Sequence, residues 1–249
     1  GADDAEVRVA LVTGGGTGLG LAISRQLAEH GFRLAVSYSR SEAEATVGVE
    51  ALRKGGAVAS LFRANIAASA DVDALIEAVY GTYGRLDVVV NNAGTTAFRP
   101  FHDLKAADEA TWDAVMDVNL KGTYLMCRAA ALRMLESGGG AIVNISSTAG
   151  VVPSGSSIVY AVSKAGIIHL TKALSIGLAP KIRVNCVAPA LMLTRWWDGH
   201  DDAVKRWMDS ARFQRAAATE DVARAVVLMA TNESISGQTL VIDQANMFL

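Results

Sequence analysis

The sequence predicts an α/β fold, one doubly wound parallel sheet with helices on both faces. Three observations carry that expectation. Short apolar runs alternate with longer segments of helical periodicity along the chain. The runs are near-continuous, as strands covered on both faces must be. The first run leads at once into a glycine-rich turn and then a helix, the order that opens such sheets.

Val7-Arg8-Val9-Ala10-Leu11-Val12 is the first strand candidate. Thr13-Gly14-Gly15-Gly16-Thr17-Gly18-Leu19-Gly20 follows it, and Leu21 to His30 reads as a helix stopped by Gly31. Further strands are expected at Arg33–Ser37, Ala57–Arg63, Leu86–Asn91, Ala141–Ser146, Ile182–Val187 and Thr239–Ile242. Helices are expected at Glu42–Lys54, Ala70–Tyr83, Asp108–Glu136, Ser157–Leu178, Ala203–Phe213 and Glu220–Ala230. The Asp108–Glu136 segment is long and carries Gly122 inside it. No linker, repeat or low-complexity stretch divides the chain, so residues 1–249 are expected to form a single domain.

Of the 249 residues 51% are apolar, enough for an extensive core, and the net charge is −2. That balance gives no reason to expect nucleic-acid or membrane partners. Cys127 and Cys186 are widely spaced and read as buried free thiols in a reducing compartment. His30, His102, His169 and His200 show no ligand spacing. No metal is therefore expected, and surface or helix-end roles suit them. The acidic start, Gly1 to Glu6, lacks a signal-peptide core, and no apolar run is long enough to span a bilayer. The cytoplasm is the expected compartment.

Tyr160 and Lys164 stand four residues apart, on one face of an expected helix. A phenol titrates near ~10 and is a poor acid or base at neutrality; a nearby cation favours the phenolate. Ser147, one segment upstream, could hold a substrate oxygen against that phenol, an arrangement suited to proton transfer at an alcohol or carbonyl. Alone, such a pair equally describes a packed ring and a snorkelling lysine. The glycine loop adds a second signal. Its glycines let the backbone approach a pyrophosphate, and the helix behind them supplies amides and partial positive charge. The spacing Gly14-x-x-x-Gly18-x-Gly20 meets the generic dinucleotide fingerprint only approximately.

Five ordered motifs resemble the short-chain dehydrogenase/reductase family over essentially the whole chain, and within it the 3-oxoacyl-acyl-carrier-protein reductase-like branch. Thr13-Gly14-x-x-x-Gly18-x-Gly20 matches the cofactor loop, and Asn91-Asn92-Ala93-Gly94 the segment after the fourth strand. Asn119, Ser147, Tyr160 and Lys164 fall in order on the catalytic tetrad. Val184-Asn185-Cys186-Val187-Ala188-Pro189-Ala190 resembles the segment after the sixth strand, with Ala190 in place of the usual glycine.

The resemblance implies a Rossmann-type fold and interconversion of a carbonyl and an alcohol by hydride transfer with NAD(P), without a metal. It implies that Tyr160 moves the proton, Ser147 holds the substrate oxygen, and Lys164 favours the phenolate and binds the nicotinamide ribose. Asn119 is implied to interrupt its helix and to lead from Lys164 to a water. Ser147 has the family's spacing to Tyr160; its neighbour Ser146 is the rival. Cofactor contacts are implied at Gly14, Gly16, Thr17, Gly18, Leu19 and Gly20, at Asn92, Ala93 and Gly94, and at Pro189. Asn65 and Ile66 fall beside the adenine, and Thr194 at the nicotinamide carboxamide.

The second strand ends Val36-Ser37-Tyr38-Ser39-Arg40, with Tyr38 where an acidic residue would hold an unphosphorylated ribose. Arg40 could contact a 2′-phosphate, with Ser39 adding a hydrogen bond. NADP is expected over NAD, although Gly16 stands where many phosphate-preferring relatives carry a basic residue. Leu191, Met192, Trp196 and Trp197 are expected to form an apolar lid, to pack beneath it, or to meet another subunit. With Trp196 at the substrate, they favour an apolar or aromatic ketone or a 3-oxoacyl group. Phe98, His102 and Pro153 are expected near the same mouth. Apolar stripes on the two long helices, and the Leu240-Val241-Ile242 and Met247-Phe248-Leu249 edge, lead to the expectation of a homotetramer.

Overall fold

β1 (Val9–Thr13), β2 (Arg33–Tyr38), β3 (Ala59–Arg63), β4 (Val88–Asn91), β5 (Gly140–Ile145), β6 (Ile182–Pro189) and β7 (Thr239–Ile242) form one parallel sheet in the computed structural model. The structure describes residues 7–246. The acidic start and the Met247-Phe248-Leu249 tail lie outside the described residues. The spatial order is β3-β2-β1-β4-β5-β6-β7. Winding therefore reverses between β1 and β4, which opens a crevice at the carboxyl ends of those strands.

Alternate residues of β1 feed opposite cores, as strand geometry requires. Ala10 and Val12 join α1 (Gly18–Glu29), α2 (Glu42–Lys54) and α8 (Thr219–Thr231) through Ile23, Leu27, Val49 and Val226. Val9 and Leu11 join α3 (Ser69–Tyr83) and α5 (Thr123–Glu136) through Ile76, Val79, Met126 and Met134. Leu174 and Leu178 of α6 (Ile158–Leu178) pack against that second core. Leu11 is fully buried; truncating such a leucine to alanine costs about 2–5 kcal/mol.

Three boundaries differ from expectation for physical reasons. The first helix begins at Gly18 instead of Leu21. Glycine disfavours helix interiors, but a Cβ on Gly20 would stand 2.0 Å from the Gly14 carbonyl oxygen, so close packing overrides propensity. The helix expected at Ala203–Phe213, α7 (Asp201–Ser210), starts earlier because Asp201 and Asp202 sit in its first turn, where acidic side chains are favoured. The expected helix Asp108–Glu136 is instead α4 (Glu109–Met116), a π-helical turn over Asp117–Gly122, and α5. That interruption lies next to the crevice.

Candidate active site

The crevice beyond β1 and β4 is a cleft of about 1120 Å³. One wall is the glycine loop. Gly14 and Gly18 hold φ of +61° and +51°, conformations that a side chain would strain. Thr17 is the N-cap residue of α1 but makes no side-chain cap bond, and the first turn carries no acidic residue. The first-turn amides remain for an anion. Gly14, Gly16, Thr17, Gly18 and Leu19 line the cleft. Gly20 does not: it lets α1 sit against the Gly14 carbonyl, a packing role. Gly16 cannot be a basic residue here, since its Cβ would lie 2.7 Å from the Ala45 Cα in α2.

The segment after β4 is stitched to that loop. Thr13 Oγ1 accepts from the amides of Asn92 at 3.1 Å and Ala93 at 3.0 Å. Asn92 Nδ2 donates to the carbonyls of Thr13 and Gly14 at 3.1 and 3.3 Å. Asn92, Ala93 and Gly94 line the cleft.

On the opposite wall Ser157 caps α6, its Oγ accepting from the Tyr160 amide at 3.2 Å. This cap places Tyr160 in the first turn and Lys164 one turn deeper. Ser147, Tyr160 and Lys164 all line the cleft. Ser147 accepts from the Ala149 amide at 3.1 Å and shares a hydrogen bond with Tyr160. Ser146 also borders the cleft, but it is buried and its hydroxyl is committed to the Lys164 carbonyl at 2.7 Å. A Cβ on Gly150 would lie 2.5 Å from the Lys164 carbonyl carbon, so the Ser147 segment and α6 share one close contact.

Electrostatics distinguish the two titrating groups. Burial pushes the Tyr160 phenol up to about 12, and the Ser147 hydrogen bond opposes that. Burial pushes Lys164 down to about 8. Its ammonium lies 5.7 Å from the Tyr160 ring centroid, and its hydrogen bond goes to the Ile145 carbonyl at 3.1 Å. An ammonium has three N–H donors, so a buried lysine so placed calls for further oxygen acceptors.

Asn119 is fully buried in the π turn behind this wall and does not line the cleft. Its Oδ1 accepts from the Thr95 amide, and its Nδ2 donates to the Thr95 carbonyl and to Ser163 Oγ. Thr123 Oγ1 donates to the Asn119 carbonyl at 2.7 Å, absorbing an acceptor in the widened turn. π turns recur where a helix must re-aim a side chain. Ser163 is buried and completes this network, donating to the Tyr160 carbonyl.

Toward the ends of β2 and β3 the cleft is lined by Tyr38, Ser39, Arg40, Asn65 and Ile66. Arg63, which sequence reasoning missed, stands beside them, paired in register with Tyr38. It joins Ser39, Arg40 and Asn65 around an adjoining polar pocket of about 440 Å³. The signal that would have found it is the strand register, invisible until β2 and β3 are paired.

The mouth is aromatic. A flap, residues 191–217, is closed at its base by the Ala217 amide donating to the Leu191 carbonyl at 2.9 Å. Trp196 meets Tyr160 edge-on, ring centroids 6.4 Å apart. Phe98 contacts Trp197 at 5.7 Å and stacks on His200 at 3.7 Å. Pro189, Ala190, Leu191, Met192, Thr194, Trp196 and Trp197 line the cleft; His102 and Pro153, expected nearby, do not.

The sequence profile described as short chain dehydrogenase matches residues 8–204. The chain is 37% identical over 244 residues to the protein named as ketoacyl reductase 2 of the granaticin polyketide synthase of Streptomyces violaceoruber, covering 97% of this chain and 96% of that one. It is 37% identical over 235 residues to 3-oxoacyl-acyl-carrier-protein reductase of Staphylococcus aureus, covering 93% and 94%. A crystal structure of a single-residue variant of actinorhodin polyketide ketoreductase with NADPH superposes with a TM-score of 0.91 at 29% identity, over 98% of this chain and 99% of that one. With a complete Ser-Tyr-Lys wall, a glycine loop open to an anion and relatives of equal length, the chain belongs to the short-chain dehydrogenase family, as an oxidoreductase of CH–OH and C=O groups with a nicotinamide cofactor.

Proposed function

We propose that the protein uses NADPH to reduce an apolar or aromatic ketone, or a 3-oxoacyl group, and that residues 1–249 act as one catalytic domain. The observation that carries this reading is the convergence of Ser147, Tyr160 and Lys164 on one cleft whose mouth is built from Phe98, Trp196 and Trp197. A large aromatic mouth favours burial of apolar substrate surface.

The residues fit the cofactor. The open amides of α1, the glycines at Gly14 and Gly18, and the Lys164 ammonium with its spare donors offer what a dinucleotide requires. The bound nicotinamide supplies the hydride. Ser147 donates a hydrogen bond to the carbonyl oxygen on which negative charge grows. Tyr160, a phenol at neutral pH because burial raises its pKa, gives that oxygen its proton. Lys164 stabilises the phenolate left behind and offers its remaining N–H donors to ribose hydroxyls. Asn119 holds Thr95 and Ser163, and through them the walls on either side of Lys164. Thr194 and Pro189, which line the cleft, would hold the carboxamide and the nicotinamide ring.

Support for the phosphorylated cofactor comes from Arg40 and Arg63, which border the same polar pocket as Ser39, and from Tyr38 at the end of β2 in place of an acidic side chain; the one carboxylate bordering that pocket, Asp71, accepts from the Asn65 amide at 2.9 Å. The assembly we propose is a homotetramer in the cytoplasm. Trp112, Tyr124 and Leu132, from 44 to 56% exposed on the two segments of the divided helix, are the apolar surface that supports a subunit contact. Among the described residues no helix is long and apolar enough to cross a membrane.

The testing experiment follows the reduced nicotinamide absorbance across a panel of aryl ketones, aliphatic ketones and 3-oxoacyl thioesters with NADPH and NADH. NADPH-dependent turnover of one of these classes is expected. Cofactor binding without turnover of any panel member would contradict the reading.

A further inference from the structure

Arg195 opens the short 3-10 turn of the flap, Arg195–Trp197, yet its guanidinium reaches across the cleft to the cofactor-loop side. Nη2 donates to Thr17 Oγ1 at 3.4 Å and to Ser41 Oγ at 3.2 Å, and Nη1 meets Glu44 Oε1 at 3.3 Å. Thr17 is the N-cap residue of α1, so this cation stands at the mouth of the helix whose first-turn amides are open. Amides, the positive end of a helix and a guanidinium on one spot make a site for a doubly charged phosphate group.

The present contacts are weak ones. All three are longer than the ~2.7–2.9 Å usual for charge-assisted bonds. The Arg195 and Glu44 side chains are 47% and 56% exposed, and an exposed pair of that kind contributes little. A diphosphate offers the guanidinium two negative charges and several non-bridging oxygens within bidentate reach, against the single 3.3 Å contact that Glu44 makes.

The flap ties this contact to the reacting end. Thr194 and Trp196 flank Arg195 in the chain. The Trp196 ring stands against Tyr160, and its Cη2 lies 3.6 Å from the point where a Gly94 Cβ would be. Lys164 Nζ lies 3.6 Å from the same point. Arg195 and the aromatic wall over the Ser147–Tyr160–Lys164 side thus belong to one short turn of the flap.

We propose that Arg195 is a ligand of the dinucleotide's diphosphate, released from Glu44 when cofactor arrives, and that this exchange seats the flap and Trp196 over the site. The inference rests on the nicotinamide cofactor but not on the choice between NADP and NAD, because both carry the diphosphate.

Dissociation constants for NADP+, NAD+ and adenosine 2′-phosphate, from calorimetry and tryptophan fluorescence on the cofactor-free chain, test it. Arg195→Gln should weaken NADP+ and NAD+ by the same factor, about tenfold, as loss of a charge-assisted contact gives. It should leave adenosine 2′-phosphate, which lacks the diphosphate, unchanged. Glu44→Gln should tighten both dinucleotides by about two- to fivefold, since it removes the competing carboxylate. Glu44→Gln also tests the exchange if the Arg195 variant fails to fold. Dinucleotide binding indifferent to both substitutions, equal loss for adenosine 2′-phosphate, or weaker binding in Glu44→Gln would overturn this inference alone. A wild-type chain that binds neither dinucleotide would overturn it together with the cofactor reading.

Discussion

Asn119 grips Thr95 from both sides. Its Oδ1 accepts from the Thr95 amide at 2.8 Å, and its Nδ2 donates to the Thr95 carbonyl at 2.9 Å. The same Nδ2 reaches Ser163 Oγ at 3.0 Å. One side chain in a π turn thus fixes both the strand-end loop that carries Gly94 and the helix that carries Tyr160 and Lys164.

Asn119→Leu should therefore act on the fold and the site together. It leaves the Thr95 amide and carbonyl unpaired, for a loss of about 2–4 kcal/mol. Urea unfolding checks the stability, and steady-state kinetics should show kcat falling more than KM rises. A variant as stable and as active as wild type would show that the grip does not matter.

The two serines separate by hydrogen-bond partner. Ser146→Ala loses a 2.7 Å bond to the Lys164 carbonyl and should cost about 1 kcal/mol while keeping most turnover. Ser147→Ala removes the hydroxyl that shares a bond with Tyr160. It should cost roughly 100-fold in kcat with little change in melting temperature. The reverse ranking would move the catalytic assignment to Ser146.

Lys164 makes the cofactor-free protein pH-sensitive. Burial holds its folded pKa at about 8, below the ordinary lysine value. The unfolded chain binds that proton more tightly, so the penalty is full below about pH 8 and fades as pH rises toward the unfolded lysine pKa near ~10.4. Lys164→Met should raise the melting temperature at pH 7, by about 1–3 kcal/mol in stability, and the advantage should shrink at pH 10. Thermal melts at the two pH values check this; an advantage independent of pH would contradict the assignment.

Arg40 and Arg63 should share one phosphate. Each single alanine substitution should raise KM for NADPH about five- to tenfold and leave KM for NADH nearly unchanged. High salt should narrow the difference, because both side chains are exposed. Equal losses with both cofactors, or a wild-type preference for NADH, would remove the phosphate role.

Much of this architecture was legible because local signals and tertiary demands agree. Apolar runs at Val9–Thr13 and Gly140–Ile145 are buried on both faces and become strands of the parallel sheet. Tyr160 and Lys164 share the cleft because four residues span about one helical turn. What stayed hidden depends on distant packing. The π turn arises where Asn119 finds Thr95, 24 residues away. The packing of Gly20 against the Gly14 backbone is not visible in the glycine spacing. Arg63 reaches the polar pocket only through strand register, and Arg195 meets the glycine loop only because the flap folds back 178 residues to Thr17. The Tyr160 pKa was expected to fall under Lys164; instead burial of the phenol raises it, and the opposing influence is the Ser147 hydrogen bond.

The central claim is that Tyr160 delivers the proton to a carbonyl reduced by NADPH. Single-turnover hydride transfer by Tyr160→Phe, followed by the loss of reduced nicotinamide absorbance, tests it most directly. The rate should fall by about 1,000-fold, within the range of general acid catalysis, while the dissociation constant for NADPH changes by less than about threefold. A folded variant that transfers hydride at near the wild-type rate would contradict the account.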